Sequence, residues 1–171
     1  MPTNLLRTLP SFDDPMELLA ACHDNVRRFT GQLRQIVQLQ NEAVFDQATA
    51  ATLATQILRY FDQAAPHHHA DEEENLFPEL MKLGDAALSS QITQLYQEHQ
   101  QMAAAWKAIR LELIKLQNHE PADLSTATDF CRLYESHAQR EDELIYPEAN
   151  KLSPETLKQL GKFMAARRVS P

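Results

Sequence analysis

From Ile92 to Leu116 one pattern runs without a break. Ile92, Leu95, His99, Met102, Trp106, Ile109, Leu113 and Leu116 follow one another at spacings of 3, 4, 3, 4, 3, 4 and 3. An α-helix brings residues so spaced onto one face. A narrow apolar seam of this kind is the surface along which long helices pack side by side. Composition agrees. Three glycines in 171 residues are too few turn formers for hairpins or sandwiches, and Leu and Ala number 45 against 10 for Val and Ile. The seam holds one intruder: His99 fills a slot where the pattern demands an apolar side chain.

The rest of the chain reads as further helices. Asp13-Asp14-Pro15 is a cap followed by an early proline. It opens a helix to about Gln40, with a stripe of Leu19, Cys22, Val26, Phe29, Leu33 and Ile36. A second runs from about Asp46 to Glu74, its stripe of Leu53, Ile57, Phe61 and Ala64 continuing to His68 and Glu72. Pro66 should kink it and Phe77-Pro78 should end it. The seam helix is the third, from about Ala87 to Asn118. A fourth runs from about Ser125 to Tyr146, with Phe130, Leu133, His137, Glu141 and Leu144 on one side, and Pro147 should end it. Ser153-Pro154 opens a short fifth helix to about Arg168. Short connections between long helices favour an all-α, up-down-up-down four-helix bundle. The expected bundle core is about 13–150, with the C-terminal helix completing a single domain over 1–171. Pro2 and Pro10 mark an extended leader.

Two segments repeat. His68-His69-Ala70-Asp71-Glu72-Glu73-Glu74-Asn75-Leu76-Phe77-Pro78 aligns without a gap, at an offset of 69, with His137-Ala138-Gln139-Arg140-Glu141-Asp142-Glu143-Leu144-Ile145-Tyr146-Pro147. Each copy carries His-x-x-x-Glu, an acidic pair, an aliphatic, an aromatic and a proline. Spacing i, i+4 stacks imidazole and carboxylate on one helix face, and in both copies that face is the apolar stripe. A carboxylate there must be paired or must coordinate a metal. His99 and His23 add imidazoles from the third and first helices. Four His and two Glu form a nitrogen–oxygen set suited to iron, zinc or manganese. If both carboxylates bridge, eight of the twelve positions around two six-coordinate ions are filled. The remaining positions stay free for a bridging oxygen and exogenous ligands.

His23, His68-x-x-x-Glu72 before Leu76-Phe77-Pro78, His99, and His137-x-x-x-Glu141 resemble the hemerythrin-like family of HHE cation-binding domains, over roughly residues 12–150. The resemblance implies a four-helix bundle around a non-haem di-iron centre bridged by carboxylates and an oxygen. It implies metal ligation by His23, His68, Glu72, His99, His137 and Glu141, and a role in binding or sensing dioxygen or a related small ligand such as nitric oxide, or in handling iron under redox stress. Zinc or manganese could substitute for iron. Ferritin-like proteins differ, using Glu-x-x-His at i, i+3. The oxygen-carrying hemerythrins also differ, in having a second His four residues after the one on the third helix, where this chain has Ala103. The alternative is a helical interaction module holding zinc or another divalent ion without redox chemistry.

The remaining features have plainer readings. His67 and His69 also precede acids by four residues and read as surface pairs, although His69 or Glu73 could support a ligand. His119 reads as a helix-end residue. Asp71 to Glu74 reads as a solvated acidic face broken only by Glu72. Cys22 and Cys131 make no disulfide framework and read as small buried residues in a cytoplasmic protein. Tyr60, Tyr96 and Tyr134 lie within a turn or two of the six residues. The net charge of −8 argues against nucleic acid. No apolar run reaches membrane-spanning length, and no leading segment resembles a signal peptide. A monomer or homodimer is expected. No nucleophile–base pair or phosphate loop points to a classical enzyme.

Overall fold

The computed structural model describes residues 11–42 and 45–169, so the leader expected from Pro2 and Pro10 lies outside the described residues. Among these residues the chain is all helical, with five helices and no strand. Helix α1 spans Pro15–Gln40, and the Asp14 carboxylate caps it by accepting from the Glu17 N–H at 3.0 Å. Helix α2 spans 47–81, α3 is Ala86–Gln117, α4 spans 127–151 and α5 is Pro154–Val169. Asp46 and Asp85 cap α2 and α3 in the same way. Gly84, at φ 78, makes the tight turn between them, a conformation that glycine adopts without strain. Neighbours pack α1 on α2, α2 on α3, α3 on α4 and α4 back on α1, which closes the bundle.

Helices α2 and α4 are not uniform. The α2 helix contains π-helical turns at Tyr60–Ala64 and Glu72–Leu76, and α4 contains one at Glu141–Ile145 before a 3₁₀ stretch Tyr146–Lys151. A proline follows two residues after each turn: Pro66, Pro78 and Pro147. Proline has no N–H and its ring crowds the carbonyl four residues back. Widening the preceding turn by one residue relieves both problems. Pro78 therefore does not end α2, contrary to the sequence expectation; the helix continues through Phe77–Met81. Pro147 likewise ends the wide turn while the chain continues as 3₁₀ helix. In the Glu72–Leu76 turn the Phe77 N–H bonds the Glu72 carbonyl, and Pro78 cannot serve that of Glu73. The Tyr96 hydroxyl donates to that freed carbonyl at 2.9 Å.

The wide turn also re-aims side chains. Leu144, expected on the buried face, is 46% exposed, and Ile145 is fully buried in its place. With i→i+5 geometry, the residue four after Glu141 falls beneath it and the residue three after swings outward.

The interior has two apolar layers. One gathers Leu33, Ile36, Ile57, Phe61, Trp106, Ile109 and Phe130 towards one end. The other gathers Leu19, Leu76, Phe77, Leu80, Leu95, Ile145, Leu160 and Met164. The second layer needs α5, which brings Leu160 and Met164. Gly161 lies so close to the backbone carbonyl of Phe12 that a β-carbon would collide with it. Near the end of α5, Arg167 and Arg168 both grip the Asp71 carboxylate, whose side chain is wholly buried. Asp71 therefore does not belong to a solvated acidic face. Its charge is matched in place by two guanidiniums.

Candidate metal centre

Between the two layers lie His23, His68, Glu72, His99, His137 and Glu141, none more than 4% exposed. One imidazole comes from each long helix. The two carboxylates open the wide turns of α2 and α4, so the repeat seen in the sequence is also a repeat of backbone irregularity. Wide turns of this kind recur at functional sites.

The imidazoles face each other in pairs. His23 Nε2 lies 3.1 Å from His68 Nε2, and His99 Nε2 lies 2.9 Å from His137 Nε2. Each carboxylate turns one oxygen to each pair. Glu72 Oε1 is 3.4 Å from His68 Nε2 and its Oε2 is 3.4 Å from His99 Nε2. Glu141 Oε2 is 3.2 Å from His23 Nε2 and its Oε1 is 3.1 Å from His137 Nε2. Two groups of donor atoms result: His23, His68, Glu72 and Glu141 form one, and Glu72, His99, His137 and Glu141 form the other.

Three imidazoles are held from behind. Asp142 accepts from His23 Nδ1 at 2.7 Å, Glu73 from His99 Nδ1 at 2.6 Å, and Glu98 from His137 Nδ1 at 2.8 Å. Arg27 in turn binds Asp142 and Arg140 binds Glu98. A carboxylate at Nδ1 places the proton there and leaves the Nε2 lone pair free, the arrangement that orients and strengthens metal-binding histidines. Among the described residues His68 Nδ1 has no such partner. The residue before His99 is Glu98, which serves His137; the residue before His23 is Cys22.

This chemistry fits a cation. Neutral imidazoles would oppose lone pairs at about 3 Å, beside carboxylate oxygens Glu72 Oε2, Glu141 Oε1 and Glu141 Oε2 that accept no hydrogen bond. Burying carboxylate oxygens that have neither a hydrogen-bond donor nor a counter-charge costs several kcal/mol. Without a cation the same field draws protons. Burial lowers the His23 pKa, but the hydrogen bond to Asp142 and the adjacent Glu141 carboxylate outweigh it and push it up to about 9. His99 is likewise opposed by burial yet pushed up to about 10 by Glu72 and Glu73. Glu72 is held well below the usual carboxylate range: the cost of burial is exceeded by the surrounding imidazoles, His68 foremost.

Sequence reasoning missed several parts of this arrangement. Asp142 and Glu73 occupy the same place in the two repeats, and each orients the histidine of a neighbouring helix; Glu73 was expected as a possible support for a ligand and Asp142 was not. The first acid of each acidic pair was the available signal. Glu98 had only its position beside His99 to mark it. His69 is half-buried and faces the centre instead of forming a surface pair: its ring stacks on His99 at a centroid distance of 4.0 Å, and its imidazole lies close to those of His99 and His137. Burial, with the nearby imidazoles, holds it well below the ordinary histidine range, hence neutral. Ala103 is exposed, so no side chain at that position faces the centre. Among the tyrosines, Tyr60 donates to the Cys22 carbonyl and Tyr96 to that of Glu73, and Tyr134 packs among Phe61 and Phe130. The tyrosine at the centre is Tyr146, the aromatic of the second repeat. Its hydroxyl donates to Glu72 Oε1 at 2.5 Å. His119 stands exposed in the turn after α3, at φ 60.

Comparison with known proteins agrees with this arrangement. The family described as Hemerythrin HHE cation binding domain matches residues 14–153. The chain belongs to the hemerythrin HHE cation-binding family. An uncharacterized protein of Haemophilus influenzae is 33% identical over 160 residues, covering 92% of each chain. The matched region takes in the four bundle helices and ends at Ser153, just before α5. Among the described residues no helix is long and apolar enough to cross a membrane.

Proposed function

We propose that this HHE domain holds two iron ions, one at the His23–His68 pair and one at the His99–His137 pair, with Glu72 and Glu141 bridging them. On this reading it binds or senses dioxygen or a related small ligand such as nitric oxide. The observation that carries it is the twofold pattern: two facing imidazole pairs, with one oxygen of each buried carboxylate turned to each pair. A nitrogen–oxygen set without thiolate suits iron, and iron supplies reversible one-electron change and an affinity for small diatomic ligands.

The protein's own residues do the rest. Asp142, Glu73 and Glu98 fix three imidazole planes and tautomers. The apolar layers above and below, closed by Phe61, Met102, Leu76 and Ile145, exclude water and strengthen every charge interaction inside. The Tyr146 hydroxyl donates to Glu72 Oε1 and fixes that carboxylate's orientation. Asp71, locked to Arg167 and Arg168, fixes the turn from which Glu72 projects.

The test is anaerobic loading with ferrous iron, admission of air, and a visible spectrum. Oxo-bridged ferric absorption with two irons per chain is expected. Binding of less than one iron per chain with no such absorption would overturn the proposal. Tight zinc binding with no response to dioxygen, nitric oxide or azide would favour a module without redox chemistry.

A further inference from the structure

The two halves of the centre are related by the repeat, and the relation extends to the aromatic before each proline. Phe77 lies parallel to His99 with ring centroids 6.0 Å apart, and Tyr146 lies parallel to His23 at 5.1 Å. These positions differ by one atom. Tyr146 carries an oxygen where Phe77 has none, and that oxygen is inside the donor group. It lies 2.5 Å from Glu72 Oε1 and 3.2 Å from His23 Nε2. The second distance equals that from Glu141 Oε2 to the same nitrogen. Neither contact needs a change of helix, because Tyr146 projects from the start of the 3₁₀ stretch directly after the wide turn that carries Glu141.

We infer that Tyr146 is a ligand of the ion at the His23–His68 position, so the two metal positions are chemically unequal. This rests on the metal reading above. A trivalent ion there forms a bond to the phenolic oxygen. The O–H bond breaks, its proton leaves to solvent, and no electron is transferred. A bound cation reverses the local preference for a neutral phenol. The His99–His137 position has no matching oxygen. It is flanked by the His69 ring instead, which gives that half a nitrogen-bearing wall. A small exogenous ligand then finds two different ions, one with a phenolate donor beside the shared carboxylates and one with the carboxylates alone.

The experiment loads the full chain with ferric iron. It measures ions bound per chain together with the ferric–phenolate charge-transfer band and the tyrosine vibrations enhanced on excitation within it. The wild type is expected to show the band, and Tyr146→Phe to lose it completely while still binding metal. Gallium, which has no redox chemistry, should give the near-ultraviolet signature of an ionised tyrosine in the wild type and not in Tyr146→Phe. If Tyr146→Phe fails to fold, Tyr60→Phe, Tyr96→Phe and Tyr134→Phe must each keep the band, and loss in any one overturns the assignment. A wild type that binds two ions without the band overturns the role of Tyr146 and leaves the metal reading standing. A wild type that binds none overturns both.

Discussion

Asp142→Ala removes the carboxylate that accepts from His23 Nδ1 at 2.7 Å. Among the described residues nothing else bonds that nitrogen, and the ring is 1% exposed. The imidazole would lose both the acceptor that fixes its tautomer and the charge that makes Nε2 a stronger donor. Loss of such a partner lowers metal affinity by about 10–100-fold, which is about 1.4–2.7 kcal/mol. Folding should suffer much less. Arg27, the other partner of Asp142, is 45% exposed and is not stranded. Asp142→Asn keeps an acceptor oxygen and should fall between wild type and alanine. Glu143→Ala, one residue further along, removes an exposed group that meets only Gln139 and should change nothing. The assay is competition for zinc or ferrous iron against a chromogenic chelator, with urea unfolding of the metal-free proteins beside it. An Asp142→Ala protein that is folded and binds metal as tightly as wild type would refute the orienting role.

Arg167→Ala combined with Arg168→Ala leaves the Asp71 carboxylate buried without either guanidinium. Breaking a buried pair costs about 3–5 kcal/mol, and because the arginines are 17% and 26% exposed the lower figure is expected. That corresponds to a fall in Tm of roughly 6–12 °C, read by calorimetry; a fall near zero would show that α5 is held by its apolar face alone. Acid dependence offers a second check, away from the centre. The Arg110 guanidinium donating to Asp62, helped by the Trp106 indole, holds the Asp62 carboxyl below the usual range. A folded-state pKa that is depressed contributes stability above the unfolded value of about 3.9, and that stability is lost as pH falls through the folded value. Both side chains are about a third or more exposed, so screening limits the effect to about 1 kcal/mol or less. Urea titrations of wild type and Asp62→Asn should converge as the pH drops below that range. Curves that stay parallel would contradict the assignment.

Much of the centre was legible because its residues break a pattern. His99 in an apolar seam and two Glu on apolar stripes are anomalies that periodicity exposes, and the 69-residue repeat selects His68 over His67 and His69. Long helices with clear caps were readable for the same reason. The wide turns were not, since a proline within a helical pattern signals a stop unless the turn before it can widen. That one difference put Ile145 in the place expected for Leu144 and carried α2 past Pro78. Apart from Glu73, the carboxylates behind the imidazoles and the Asp71–Arg167–Arg168 cluster were hidden because their partners lie on other helices. Asp142 reaches His23 across 119 residues of chain. Acids in a run look alike until the bundle assigns each a neighbour: Asp71 to α5, Glu72 to the centre, Glu73 to His99 and Glu74 to Arg167.

The central claim is that Glu72 and Glu141 each serve two metal positions. It is tested most directly by counting iron per chain after anaerobic loading of wild type, Glu141→Ala and Glu143→Ala. The account predicts two in the wild type and in Glu143→Ala, and a fall below one in Glu141→Ala, because both donor groups lose an oxygen together. Equal losses in the two variants, or a wild type that holds no iron, would contradict it.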